Sequence, residues 1–178
     1  MFMKRKLSDK EFKVMQGIMK VIDTVHPYVP ARVKRFGIEP GMTVVDYGCG
    51  PGRYAVEFAK LVGGKGSVIA VDVLEIALKE TEKKLKKREL TNVDLRLARG
   101  YDSGIAKGAA DIVCAVDMFH HVEPAPFLAE VRRILKPEGR LIIAGGHLPR
   151  KGIKKAVEAS GSWELMDEAR MFLRYAKK

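Results

Sequence analysis

The sequence predicts a doubly wound α/β fold: a mostly parallel, seven-stranded sheet with helices on both faces and a C-terminal antiparallel hairpin. Three observations predict it. Five short apolar runs recur between residues 43 and 144, and segments of helical period stand between most of them. A glycine-rich turn, Gly48-Cys49-Gly50-Pro51-Gly52, follows the first run and opens a helical pattern. Two further strand-like runs, joined by a very tight turn, close the chain. Alternating strands and helices build a parallel sheet through right-handed crossovers.

Each element can be justified in order. Residues 10–25 place Val14, Ile18, Val21, Ile22 and Val25 at helical spacing, with Met15 and Met19 beside them. His26-Pro27 ends that helix, since the residue before proline avoids the helical region. Tyr28-Val29-Pro30 reads as an extended loop, residues 31–36 as a short helix, and Glu39-Pro40-Gly41 as a turn. Strand one spans residues 43–47 and its helix 53–61. Strand two spans 67–72 and its helix 75–88. Strand three is 93–98 and strand four 111–116, followed by a helix at 125–135. Lys136-Pro137-Glu138-Gly139 reads as a turn before strand five at 140–144. The tail gives a helix at 152–160 and strands at 163–169 and 171–176. This divides the chain into an N-terminal helical appendage, residues 1–38, and a core, residues 39–178.

Composition bounds the function. The chain has 178 residues, 47% of them apolar, enough for one domain with a sizeable core. Its two cysteines, Cys49 and Cys114, offer neither a disulfide framework nor a metal quartet, and no metal site is expected. No apolar run reaches the roughly 18 residues of a membrane span, and the basic N-terminus has no apolar signal core behind it. A cytoplasmic protein with no membrane partner is the expectation. The formal charge of +11 reads first as a solvated Lys/Glu-rich surface, with residues 79–88 as its densest stretch. An anionic partner such as RNA is the second reading.

Chemistry concentrates at the glycine turn. Glycines let backbone N–H groups approach a ligand closely, and the following helix N-terminus adds a positive dipole end. Asp46 precedes Gly48, Gly50 and Gly52, which alternate. A dinucleotide fingerprint would space the last glycine further on, and a P-loop would end in G-K-[ST]. Asp72 ends strand two about 20 residues later, where an acid accepts the ribose hydroxyls of a bound nucleoside.

Asp46 to Gly52 match every fixed position of D/E-x-G-x-G-x-G. The chain in this respect resembles the class I S-adenosylmethionine-dependent methyltransferases, over roughly residue 39 to the C-terminus. The resemblance implies that the final strand inserts antiparallel. It also implies S-adenosylmethionine as cofactor, with S-adenosylhomocysteine as product. Asp46 would face the methionine end, Tyr47, Gly48, Cys49, Gly50 and Gly52 would form the loop, and Asp72 would hold the ribose. Val73 and Leu74 would flank the adenine. Members often carry Gly-Asp-Ala after strand three; here Gly100-Tyr101-Asp102 leaves the adenine contact to Asp102 by a small shift or to Tyr101 as a cover.

Strand four continues into Asp117-Met118-Phe119-His120-His121. By the same resemblance Asp117 would sit at the strand's carboxyl end beside the transferring methyl, binding an amine or acting as base, and His120 is the other catalytic candidate. His121 reads as scaffold, and two adjacent histidines alternate faces on a strand. The N-terminal helix is the expected lid, with Met15, Ile18, Met19 and Ile22 toward the site. His26, Tyr28 and His147 would stand near the acceptor. The expected activity is in-line methyl transfer to an unidentified acceptor, a small molecule before RNA or protein. The alternatives are a non-catalytic methyltransferase-like binding module for protein or RNA, and a nucleotide-dependent oxidoreductase. A homodimer is left open, since a second subunit could cover the site.

Overall fold

The computed structural model describes residues 7–25, 28–145 and 149–178. Its elements are α1 (Asp9–Val25), α2 (Val29–Val33), β1 (Thr43–Tyr47), α3 (Arg53–Val62), β2 (Ser67–Asp72), α4 (Glu75–Lys86), β3 (Val93–Leu97), β4 (Ala110–Val116), α5 (Pro124–Ile134), β5 (Leu135–Ala144), α6 (Arg150–Glu158), β6 (Trp163–Ala169) and β7 (Phe172–Lys177). A 3-10 turn, Phe119–His121, follows β4. His26, Pro27, Gly146 and His147 lie outside the described residues, and so do the expectations placed on His26 and His147.

One seven-stranded sheet runs in the order β3-β2-β1-β4-β5-β7-β6. The first five strands are parallel, and β7 pairs antiparallel with both β5 and β6. The order reverses between β1 and β4, so the crevice outside their carboxyl ends is where a ligand belongs in a doubly wound sheet. The strands lie between helical layers and are correspondingly apolar: Val44, Val45, Val68, Ala70, Val113, Cys114, Leu141 and Ile142 are fully buried. The Lys136–Gly139 segment, expected as a turn, belongs to β5. Leu135 pairs with Ala110 before the register shifts and Arg140 pairs with Ile112, so the turn residues form an irregularity inside one strand.

The N-terminal helix begins with a capping box. Ser8 Oγ accepts the Glu11 N–H at 3.3 Å, and Glu11 Oε2 accepts the Ser8 N–H at 2.9 Å. Two side-chain anchors hold the helix on the core. Arg53 donates to both carboxylate oxygens of Asp23, at 2.8 and 2.5 Å, and Gln16 donates to Glu80 at 2.9 Å. These anchors decide which part of a broad apolar arc faces inward. Phe12 is buried and Met15 partly buried, whereas Ile18 and Ile22 are exposed. The expected inward face is thus corrected: Met15 and Met19 hold that position, Phe12 joins them, and Ile18 and Ile22 turn to solvent.

Candidate active site

A cleft opens over the carboxyl ends of β1, β2 and β4, with about 1020 Å³ of non-atom space counting its solvent-open part. Its floor is the turn after β1. Gly48 and Gly50 both have positive φ, 76° and 52°, a conformation that costs glycine nothing. They differ in what surrounds them. A Cβ on Gly50 would meet no protein atom, whereas one on Gly48 would stand 2.9 Å from Met118 Cβ. Gly48 is therefore glycine for packing as well as for backbone conformation.

Gly52 has a different task from the one expected. It does not line the cleft. It caps the N-terminus of α3 at φ 72°, and a Cβ there would stand 2.7 Å from Thr81 Cγ2 on α4. Its role is the close approach of two helices. Asp46 also lies behind the cleft wall: it is 2% exposed and accepts the backbone N–H of Ala55 in the first turn of α3. That turn needs an acceptor for its orphan donors, and glycine at the cap supplies none. Burial pushes the Asp46 carboxyl up to about 7, opposed by the Ala55 hydrogen bond and reinforced by the charge of Asp72. Its Oδ2 has no partner among the described residues.

Asp72 lines the cleft. Its Oδ2 accepts the Gly50 N–H at 2.9 Å and its Oδ1 accepts the Leu74 N–H at 3.0 Å. One carboxylate thus fixes the glycine turn and the entry to α4 together. Beside it, Val73, Leu74, Ala98 and Phe12 make an apolar slot, closed on one side by Tyr101. The Tyr101 hydroxyl accepts the Glu123 N–H at 2.7 Å, and its carbonyl accepts the Tyr47 hydroxyl at 2.8 Å. Of the two adenine alternatives, the geometry places Tyr101 on the wall. Asp102 is turned away, capping its own loop through the Gly104 N–H at 2.9 Å.

At the far end, Asp117 leaves β4 at φ 56°, a left-handed conformation rare outside glycine. Its N–H is held by Ala144 O at 2.8 Å. Its carboxylate lies 3.6 Å from Arg32 Nη1 and 3.5 Å from the Tyr54 hydroxyl, and Arg32 Nη1 donates to that same hydroxyl at 2.6 Å. His121, not His120, lines the cleft. The expected alternation fails because the pair sits on the 3-10 turn, with ring centroids 3.8 Å apart. Cys49 lines the floor, and burial holds its thiol well above the usual range, which disfavours the thiolate.

Residues 45–143 match the family model described as methyltransferase domain. This chain belongs to the methyltransferase domain family. The chain shares 32% identity over 107 residues with nocamycin O-methyltransferase of Saccharothrix syringae, 60% of this chain and 38% of that protein. It shares 30% identity over 140 residues with a ubiquinone/menaquinone biosynthesis C-methyltransferase of Shewanella piezotolerans, 75% of this chain and 56% of that one. It therefore spans about half or less of the length of such curated relatives. A crystal structure of a SAM-dependent methyltransferase from Aquifex aeolicus superposes with a TM-score of 0.78 at 27% identity, covering 96% of this chain and 98% of that one. Sheet order, the β5-β7-β6 hairpin and the family model together give this chain the class I methyltransferase fold, a family whose cofactor is S-adenosylmethionine.

The residues present fit that cofactor. Positive-φ glycines clear the floor, Asp72 presents a carboxylate fixed by two backbone N–H groups, and apolar side chains line the cleft beside it. Sequence reasoning missed Phe12, Arg53, Tyr54 and Met118 on the walls. The helical spacing of Phe12 with Met15 and Met19 carried a signal for the first. For Arg53, Tyr54 and Met118 no local pattern did.

Proposed function

We propose that this chain is an S-adenosylmethionine-dependent methyltransferase acting on a small-molecule acceptor beneath α1. The observation that carries the reading is the joint hold of Asp72 on the Gly50 and Leu74 N–H groups. It presents one carboxylate, already oriented, between a glycine floor and an apolar slot. When bound, S-adenosylmethionine supplies an electrophilic methyl, to which the acceptor's lone pair bonds as the carbon–sulfur bond breaks, leaving S-adenosylhomocysteine. The protein's part is positioning and exclusion of water. Gly48 and Gly50 admit the ligand against the backbone, Asp72 accepts the ribose hydroxyls, and Tyr101 covers the base.

Asp117 and His121 stand at the opposite end of the cleft, where the acceptor's nucleophilic atom would lie. Asp117 is the group that would bind an amine or take a proton; Arg32 and Tyr54 orient it. His121 replaces His120 as the second candidate because it alone of the two reaches the cleft. Phe12, Met15 and Met19 form the underside of a lid over the site, which suits an acceptor too small to exclude water itself. The relatives' O-methyl and quinone C-methyl transfers favour an oxygen or carbon nucleophile.

Calorimetry with S-adenosylmethionine and S-adenosylhomocysteine tests the reading. Both should bind the wild-type protein. Asp72→Asn should weaken S-adenosylhomocysteine about 10–100-fold, the equivalent of losing one charge-assisted bond of about 1.5–3 kcal/mol. Unchanged affinity would remove Asp72 from the ribose role. No binding by the folded wild-type protein would turn the chain into a methyltransferase-like scaffold.

A further inference from the structure

A second cavity adjoins the cleft on the side of β5. It holds about 800 Å³ of non-atom space, open side included, between α2, the start of α6 and the β6–β7 turn. Arg32, Arg150 and Arg170 line it, and no carboxylate does among the described residues. Arg32 is only 5% exposed, and its Nε has no acceptor among the described residues. A buried guanidinium with an unmet donor is costly unless a partner arrives.

The helix entering this cavity points the same way. The N-terminus of α6 opens on it, with Arg150 at the first helical position and no acidic residue in the first turn. Helix N-termini favour acids, because the dipole end is positive, and cations there are unfavourable. Two cationic features therefore converge on one cavity, and a bound anion would relieve both. The nearest carboxylates are already engaged from outside it. Glu168 lies 3.8 Å from Arg150 but 2.9 Å from Lys154, and Asp117 approaches Arg32 from the cleft side.

The two cavities meet at Gly145, the residue that follows β5, with φ 66°. A Cβ there would stand 1.8 Å from Asp117 Oδ1 and 2.7 Å from Arg32 Nη2. This glycine lines the second cavity, while Asp117 lines the cleft. The Arg32–Asp117 pair is thus the partition between the two.

We infer that the second cavity binds an oxyanion, a carboxylate or a phosphate, carried by the methyl acceptor. Arg150 and Arg170 capture the group at the rim and the Arg32 guanidinium receives it inside. The acceptor's nucleophilic end then reaches past Gly145 toward Asp117. That the anion belongs to the acceptor rests on the methyltransferase reading; the anion site itself does not.

The test uses the full chain, benzoate and phenyl phosphate as probes, benzamide as the neutral control, and constant ionic strength. Binding is followed by NMR titration, with and without saturating S-adenosylhomocysteine. The comparison protein is the Arg150→Gln/Arg170→Gln double variant, whose changes are both at exposed positions. At least one anion should bind saturably to wild type and at least tenfold more weakly to the variant, with S-adenosylhomocysteine affinity equal in both. The tighter anion identifies carboxylate or phosphate as the group taken. Equal anion binding by both proteins, or benzamide binding as well as benzoate, overturns the site. Anion binding without S-adenosylhomocysteine binding keeps the site and overturns its role for an acceptor. S-adenosylhomocysteine binding without anion binding does the reverse, removing the site and leaving the methyltransferase reading intact.

Discussion

Asp46→Asn should change how stability depends on pH more than it changes stability at any one pH. Asp46 is buried behind the glycine turn, and its carboxyl is raised from 3.8 to about 7. Burial of the charged form is the largest cause. An acid with a raised folded pKa binds its proton more tightly in the native state. Its contribution is full below the unfolded pKa of 3.8 and is lost as pH rises toward and through about 7. A difference of about three units at about 1.4 kcal/mol each amounts to about 4 kcal/mol across the whole window. Between about pH 5 and about pH 8 the loss is roughly 2–3 kcal/mol.

Asparagine removes the titration and keeps the shape. Its amide oxygen can still accept the Ala55 N–H, while the NH₂ takes the place of an oxygen that had no partner among the described residues. That orphan donor costs about 1–3 kcal/mol at every pH. The variant should therefore gain on wild type by roughly 2–3 kcal/mol between about pH 5 and about pH 8, the part of the wild-type loss that asparagine does not share. Urea denaturation of both proteins at several pH values, without cofactor, measures the difference. Groups with no coupling to Asp46 are common to both proteins and cancel. Parallel stability curves across that range would refute the argument, because they would mean that Asp46 ionises in the fold as easily as in the unfolded chain.

Three further outcomes are expected. Gly52→Ala should lower the urea unfolding free energy by about 2–4 kcal/mol, from a strained positive φ and overpacking against Thr81; a loss under about 0.5 kcal/mol would show that α3 and α4 can separate freely. Asp23→Asn removes the charge that holds Arg53 to α1, so amide exchange in α1 should accelerate about tenfold and S-adenosylhomocysteine should bind several-fold more weakly. Unchanged exchange would mean that Phe12 and its neighbours hold the helix alone. Cys49 and Cys114 are both buried, with thiols held well above the usual range by burial, so a thiol reagent should label neither before the protein unfolds.

The sequence alone determined the elements, their order and the ligand end of the sheet. Period-two apolar runs, 3.6-residue helices and Gly/Pro punctuation are local signals, and β1, β2 and β6 begin and end where those signals place them. Asp72 was legible for the same reason: strand end, glycine turn and helix start all lie close along the chain. Tertiary structure decided what depends on elements meeting. The register of α3 on α4 sets Gly52 against Thr81 rather than against a ligand. The anchors Asp23–Arg53 and Gln16–Glu80 choose Met15 and Met19 over Ile18 and Ile22 from one continuous apolar arc. The 3-10 turn after β4 swaps His121 for His120. Arg32 and Asp117 are distant in sequence, and neither carries a pattern that announces the other. Their pairing, and the cationic cavity beside it, exist because α2, β4 and the β6–β7 turn converge on Gly145, a convergence set by packing and written in no single segment.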